Sequence, residues 1–171
     1  MLAMGSAVMQ DVEDVIAELV RGGIVAVNLY NNPVTGTLPD AWSMLDTLQF
    51  LGLGMSSISG TLPDSWKGMT GMQDLELYDI PGLSGTLPDS WKALTGMTTL
   101  MLFSNPGLSG TLPDSWSAMT AMQVLGLYSN PRVSGTLPES WSSMTSLQML
   151  YMFQNPGLSG TLPESWSGMT S

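Results

Sequence analysis

Carboxylates are the only side chains of this sequence suited to acid–base chemistry or to binding a hard cation. The 171 residues include fourteen Asp and Glu, but no His and no Cys. Without those two residue types, Ser–His relays, thiolate nucleophiles, disulfides and His- or Cys-based zinc sites are excluded. Two acids suffice for a glycosidase, so the positions of the acids decide whether any catalysis is to be expected.

A repeat of 24 or 25 residues positions many of these acids. Each repeat carries a Gly-Thr-Leu-Pro-(Asp/Glu) block followed by a tryptophan. A Pro followed by an acid is typical of a helical first turn, and Thr61 to Asp64 matches a capping box, so we interpret the block acids as structural caps. The block acids are Asp40, Asp64, Asp89, Asp114, Glu139 and Glu164, and the tryptophans are Trp42, Trp66, Trp91, Trp116, Trp141 and Trp166.

The apolar spacing within one repeat predicts an α/β solenoid. Met69, Met72 and Leu75 recur every three residues, which suits a short helical turn, whereas Leu75 and Leu77 are two apart, as on one face of a strand. Because one repeat cannot bury this stripe alone, the repeats must stack, with about six parallel strands on the concave wall and short helical or 3-10 segments on the convex side. Strand centres are expected near Leu29, Leu53, Leu77, Leu102, Leu127 and Met152.

Three further features of the repeat concern its interior and its flank. The tryptophans and the inward methionines, such as Met69 and Met97, are expected in the core, and each Ser-Gly-Thr-Leu-Pro stretch is expected to form a second short strand. A column of asparagines predicts a buried amide ladder, because buried polar groups need partners. Its members are Asn32, Asn105, Asn130 and Asn155, with Ser56 and Ile80 interrupting it, so the third repeat is expected to be weak or adapted.

These residues carry a resemblance to a known family. The segment from Leu102 to Pro113 resembles the plant-type subclass of leucine-rich repeats, which occurs in receptor-kinase ectodomains and cell-wall inhibitor proteins. The segment 134–148, with its Trp and Met-Thr-Ser wording, is similar to repeats of the trypanosomatid surface-antigen and proteophosphoglycan family. The resemblance implies a horseshoe arc in an extracellular or membrane-anchored surface protein that binds rather than catalyses.

Aromatic residues form a column on the predicted concave wall. The outward position after the second strand leucine holds an aromatic residue in five of six repeats, with Gly54 as the exception, and Tyr151 falls on another outward strand position. An exposed apolar column of this kind commonly marks an interaction site, although such rings also stiffen a sheet. The column comprises Tyr30, Tyr78, Phe103, Tyr128 and Phe153.

The third repeat adds Asp74, Glu76 and Asp79 around Tyr78. These acids lie on or beside the concave strands, where they would suit a basic partner side chain or calcium, or form a solvated charge cluster. An open arc lacks the deep pocket that a paired-acid enzyme needs. We therefore predict a non-catalytic module that binds a protein or glycan through this wall, without a cofactor or metal; the alternative is an architectural surface-coat or antigen segment without a ligand.

Net charge and chain organisation restrict the classes of partner that this protein is expected to bind. A net charge of −10 disfavours nucleic acid and anionic lipid, and no apolar run is long enough to insert into a membrane. Residues 1–23 are expected to form an amphipathic N-terminal capping helix, followed by repeats over 24–171, of which the last is incomplete. Self-association through the uncapped C-terminal end is therefore expected, because a terminal repeat needs a polar outer face.

Overall fold

Each repeat contributes two short strands and one 3-10 helix. The computed structural model describes residues 23–169. The first strands of the repeats are β1 (Ala26–Asn28), β3 (Phe50–Gly52), β5 (Asp74–Glu76), β7 (Thr99–Met101), β9 (Val124–Gly126) and β11 (Met149–Tyr151). The second strands are β2 (Thr35–Thr37), β4 (Ser57–Thr61), β6 (Gly82–Thr86), β8 (Gly107–Thr111), β10 (Arg132–Thr136) and β12 (Gly157–Ser159). The 3-10 helices span Asp40–Met44, Asp64–Gly68, Asp89–Ala93, Asp114–Ala118, Glu139–Ser143 and Glu164–Gly168.

The strands form two parallel sheets that run the length of the described solenoid. The first strands pair in the order β1-β3-β5-β7-β9-β11, and the second strands pair in the order β12-β10-β8-β6-β4-β2. Equivalent residues lie opposite one another, as Leu75 lies opposite Leu51 and Leu100, so all inward leucines share one face. The predicted solenoid, its concave parallel sheet and its flanking second strands are confirmed.

The strand centres lie two residues before the predicted ones. In the third repeat the strand is centred on Leu75 rather than Leu77. The backbone bonding continues past the strand, since the Leu77 N–H still donates to Met101 O at 2.8 Å. Two residues later the chain turns at Asp79, whose φ is 56°. The two-residue alternation therefore extends beyond the regular strand, which explains the offset of the prediction.

The tryptophans and methionines occupy the core, as predicted. Five of the six indoles are buried, and Trp166 is partly buried against the same core. Consecutive indoles stack, with ring centroids 6.2 Å apart between Trp66 and Trp91. Each indole N–H after the first donates to a proline carbonyl of the preceding repeat, as Trp66 does to Pro39 O at 2.8 Å. This bond explains how a core can hold so many indoles, since a buried N–H needs an acceptor.

The capping-box interpretation of the block acids is wrong. Pro63 occupies the N-cap of the second 3-10 helix with an extended backbone and no side-chain capping bond. The acid that follows it, Asp64, instead accepts a hydrogen bond from the Ser90 hydroxyl of the next repeat at 2.7 Å. Equivalent Ser–Asp bonds occur at Asp40, Asp89 and Asp114. These acids are therefore structural, but they connect neighbouring repeats rather than cap their own helices.

The asparagine ladder is confirmed at three of its four predicted members. Asn105, Asn130 and Asn155 are buried, and each amide reaches back to the preceding repeat, as Asn105 Nδ2 does to Leu77 O at 2.7 Å. Asn32 lies exposed and donates to Tyr30 O instead.

The predicted ladder is interrupted at Ser56 and Ile80, and a weak or adapted third repeat stays a prediction. Ile80 is fully buried and cannot reach back as an amide would, and in the repeat before it the buried Ser56 hydroxyl has no hydrogen-bond partner.

The predictions for the N-terminal and C-terminal ends of the chain both remain untested. The predicted capping helix over residues 1–23 lies almost wholly outside the described residues. At the other end, side chains of the last repeats are more exposed than their counterparts, with Phe153 at 55% and Leu162 at 75%. Self-association through this end stays a prediction.

Candidate functional site

The concave wall consists of the side chains that point away from the core on the first sheet and just after it. Three positions per repeat contribute to it. The first row contains Ala26, Phe50, Asp74, Thr99, Val124 and Met149, and the second contains Asn28, Gly52, Glu76, Met101, Gly126 and Tyr151. The third row contains Tyr30, Gly54, Tyr78, Phe103, Tyr128 and Phe153. All six predicted aromatic residues of the site therefore lie on one surface.

The third row forms a continuous stack of rings. Tyr78, Phe103, Tyr128 and Phe153 stack with centroids 4.3–4.4 Å apart and interplanar angles of 8–12°. Most ring faces are therefore covered by the next ring along the column. The surface that remains for a ligand is formed by the ring edges, which carry the positive end of the aromatic quadrupole, and by the phenolic ends of the tyrosines.

Gly54 provides the space in which the Tyr78 ring approaches Tyr30 across the second repeat. A Cβ atom at Gly54 would lie 3.0 Å from two ring carbons of Tyr78. The Tyr78 ring therefore covers this position, and its centroid is 5.9 Å from that of Tyr30, at a tilt of 46°. The Tyr30 hydroxyl in turn donates to the Met55 sulfur at 2.8 Å. From the sequence, Gly54 is interpreted as a gap in the aromatic column. In the structure, its lack of a side chain leaves the space that the Tyr78 ring occupies.

Two further glycines of the wall are covered in the same way. A Cβ atom at Gly52 would lie 3.1 Å from the Phe50 ring, and one at Gly126 would lie 2.7 Å from the Met101 sulfur. Sequence reasoning missed Met101 as part of the wall. The signal that could have identified it is its position two residues after Thr99 in an alternating strand.

Two of the three predicted acids lie together on the wall. Asp74 and Glu76 are the two outward residues of β5, and both are partly buried. Asp79 lies exposed in the turn that follows Tyr78, and its backbone N–H donates to Phe103 O at 3.0 Å. The structure therefore separates Asp79, at the rim, from the acid pair on the sheet.

The surroundings of the acid pair disfavour its charged form. Burial raises the pKa of Asp74, and burial followed by the charge of Asp74 raises the pKa of Glu76. Burial, and then Glu76 and Tyr30, raise the pKa of Tyr78 to about 12. The Oδ1 atom of Asp74 is shielded from solvent and has no hydrogen-bond partner. An unsatisfied carboxylate oxygen of this kind is uncommon in a folded protein.

The wall carries negative charge without a compensating cation. The three basic residues between positions 23 and 169 lie elsewhere: Lys67 and Lys92 on 3-10 helices, and Arg132 in β10. Within the same stretch, no group of three or more acids is arranged to hold a metal ion. In the described part of the chain, no helix is both long enough and apolar enough to cross a membrane.

Solved structures similar to this chain include plant receptors and receptor ectodomains. The plant peptide hormone receptor RGFR1, in complex with RGF2, superposes with a TM-score of 0.80 at 29% identity over 85% of this chain. The Arabidopsis receptor kinase HAESA, in complex with the peptide hormone IDA and the co-receptor SERK1, gives a TM-score of 0.78 at 30% identity over 85% of this chain. The ectodomain of the receptor kinase SOBIR1 from Arabidopsis thaliana gives 0.71 at 25% identity over 78% of this chain.

These likenesses define the fold. The chain is a leucine-rich-repeat solenoid of the plant type, and it spans 23% and 24% of the length of the first two receptor chains and 72% of the SOBIR1 chain. No protein-family model matches the sequence, and a search of curated proteins finds no relative.

Proposed function

We propose that the chain is a non-catalytic recognition module of an extracellular or cell-surface protein, and that it binds a protein ligand through the concave wall. The observation that carries this proposal is the stack of four rings, with Tyr30 in tilted contact with Tyr78 at one end, on a partly exposed sheet face. An apolar surface kept out of the core commonly marks an interaction site. Aromatic side chains also supply much of the binding energy of protein interfaces at a small entropic cost.

The similar receptors support a protein rather than a sugar ligand. RGFR1 is in complex with RGF2, HAESA with a peptide hormone, and PEPR1 with AtPEP1. The stacked geometry supports the same choice, because a sugar ring packs on an aromatic face and most faces of this column are covered by neighbouring rings. Ring edges and phenolic hydroxyls instead suit the carbonyl groups and apolar side chains of a polypeptide.

An architectural role is the second candidate, in which the repeats form a surface coat or antigen without a ligand. The observation that favours it is the same stack, since rings that contact one another stiffen the sheet even when nothing binds. The similarity of residues 134–148 to trypanosomatid surface-antigen and proteophosphoglycan repeats supports a location at the cell surface for either role.

Replacing three wall rings distinguishes the two roles. A display library of random linear peptides is selected against the whole chain, and the selected peptides are measured against the variant carrying Tyr78→Ser, Phe103→Ser and Tyr128→Ser. We expect affinity to fall by about 100-fold, which corresponds to about 2.8 kcal/mol, little more than the loss of one hot-spot side chain. The control carries Met44→Ser and Leu162→Ser, two side chains that are 76% and 75% exposed away from the wall. Peptides that bind the triple variant as tightly as the unaltered chain, or a selection without specific binders, would count against the proposed wall.

A further inference from the structure

We propose that the ligand of the concave wall is an extended polypeptide that places a lysine or arginine side chain between Asp74 and Glu76, with apolar residues along the rings of the later repeats. This inference rests on the proposed function and specifies the chemistry of the partner. One ligand can contact both the acid pair and the ring stack, because they lie on one sheet face.

The geometry of β5 suits a single cationic group. Asp74 and Glu76 are two residues apart on one strand, so their side chains leave the same face about 6.6 Å apart along the chain. A guanidinium or ammonium group between them reaches both carboxylates, and several donors on one head group can bond to oxygens of each.

The acid pair has no oppositely charged neighbour in the described part of the wall. Along the sheet, Asp74 lies opposite Phe50 and Thr99, and Glu76 lies opposite Gly52 and Met101. None of these four residues carries a charge. The Oδ1 atom of Asp74 is shielded and accepts no hydrogen bond, and burial raises the pKa of both acids. Because Asp74 and Glu76 are only partly buried, a ligand donor would bond to the carboxylate atoms that remain exposed on the wall rather than to the shielded Oδ1.

The charge of the chain also determines that the anchoring group of the ligand is positively charged. The chain carries a net charge of −10, and no Lys or Arg lies on the described part of the wall. A ligand anchored by a carboxylate or phosphate would meet only repulsion there, whereas a basic segment is attracted. The proposal is thus specific to a cation, and the same wall should reject the acidic counterpart.

The distribution of residues along the wall fixes the register of the ligand. Asp74 and Glu76 are the only charged residues in the three rows of the wall. Beyond them, the fourth to sixth repeats present apolar or uncharged side chains, including Met101, Val124 and Met149. One basic residue therefore aligns with the third repeat, and the apolar residues of the ligand align with the repeats that follow it.

The test uses the whole chain and the peptide selection described above. Selected peptides are expected to share one lysine or arginine next to apolar residues. Changing that residue to glutamine should weaken binding by about 10- to 100-fold, which is typical of losing a charge-assisted hydrogen bond. The same loss is expected for the Asp74→Asn, Glu76→Gln chain, and affinity for the unaltered chain should fall as salt rises.

A matched control separates local from overall charge. The chain with Glu139→Gln and Glu164→Gln loses the same two charges from exposed acids in the first turns of 3-10 helices, and it should bind the basic peptides nearly as well as the unaltered chain. Equal losses for both double variants would overturn the inference, since overall charge would then explain the binding.

Two other outcomes also overturn it, and they differ in what they say about the proposed function. If selected peptides lack a basic residue but still require Phe103 and Tyr128, the wall binds a ligand and only the cation is wrong. If binding depends neither on the rings nor on the acid pair, or if no peptide is selected, both proposals are wrong. Circular dichroism of each variant verifies that the repeats remain folded.

Discussion

The molecule contains two aromatic columns with the same period and opposite surroundings. The tryptophan column is complete, with centroids 5.7–6.5 Å apart, and every indole N–H after the first reaches a proline carbonyl. The concave column is interrupted at Gly54, and four of its rings stack more closely, at 4.3–4.4 Å. Stacking alone therefore does not distinguish core from surface. Five buried indoles, with a proline acceptor for every indole N–H after the first, mark the structural column, whereas all five rings of the candidate binding column remain at least partly exposed.

Removing one indole should have the largest effect on stability. Trp91→Ala deletes a fully buried side chain between two stacked neighbours, and we expect the free energy of unfolding to fall by about 3–5 kcal/mol. Denaturant unfolding followed by circular dichroism measures this change. Trp166→Ala, at the partly buried end of the same column, should cost less. Equal losses at the two positions would show that burial does not set the contribution of the column.

Removing one ring of the concave column should lower the stability less than removing one indole does, and it should weaken ligand binding more. Phe103→Ala loses two stacked partners at 4.4 Å on a partly buried face, which is expected to lower the free energy of unfolding by about 1–2 kcal/mol. Phe153→Ala, which loses one described partner, is the matched control and should lose about half as much. A loss at Phe103 as large as that at Trp91 would place the concave column among the structural determinants of the fold.

Filling the gap in the concave column tests whether Gly54 shapes it. In Gly54→Ala the new methyl group meets the Tyr78 ring at 3.0 Å and the Tyr78 carbonyl at 3.1 Å, so the ring must move away from Tyr30. We expect a loss of about 1 kcal/mol, as for modest overpacking, together with altered ring-proton shifts of Tyr30 in NMR spectra. Ser56→Ala, close in sequence but in the inward column, should leave those shifts unchanged.

The sequence predicted the features that one repeat determines by itself. Alternating leucines specify inward and outward positions, so the core tryptophans, the aromatic column and the place of Asp74 and Glu76 on the wall followed from the pattern. Features that depend on the neighbouring repeat did not follow. The bond from Ser90 to Asp64 and the packing of Tyr78 over Gly54 each join two repeats, and a one-dimensional period does not show which atoms meet across them.

The two columns should also respond differently to mild acid, because the acids with a raised pKa, Asp74 and Glu76, lie beside the concave column. The folded-state pKa values of Asp74 and Glu76 are raised above the ordinary values of 3.8 and 4.5, so the folded chain holds these protons more tightly than the unfolded chain does. Their contribution to stability is therefore greatest below the ordinary pKa values and is lost as pH rises through the raised ones.

Asp74→Asn should consequently raise the melting temperature at neutral pH by about 1–2 °C, within the range of surface substitutions. Near pH 3 the gain should vanish, since the unaltered carboxyl group is then protonated. Calorimetry at both pH values measures it, with the exposed Glu164→Gln as the control. A gain that persists in acid would mean that the charge of Asp74 is not its cause.

The smallest effect is spectroscopic and sets the concave column apart from the tryptophans, which do not titrate. The raised pKa of Tyr78, about 12, means that its phenol stays neutral well above the ordinary value of 10.0. The phenolate absorbance of the folded chain should therefore show a late step that Tyr78→Phe removes. Glu76→Gln should move this step to lower pH, because the Glu76 charge is one of its causes, whereas Glu164→Gln should not. If the step stays at the same pH in the Glu76→Gln chain, the acid pair and the ring stack do not share one electrostatic environment. The proposal that one ligand contacts both groups would then lose its electrostatic support.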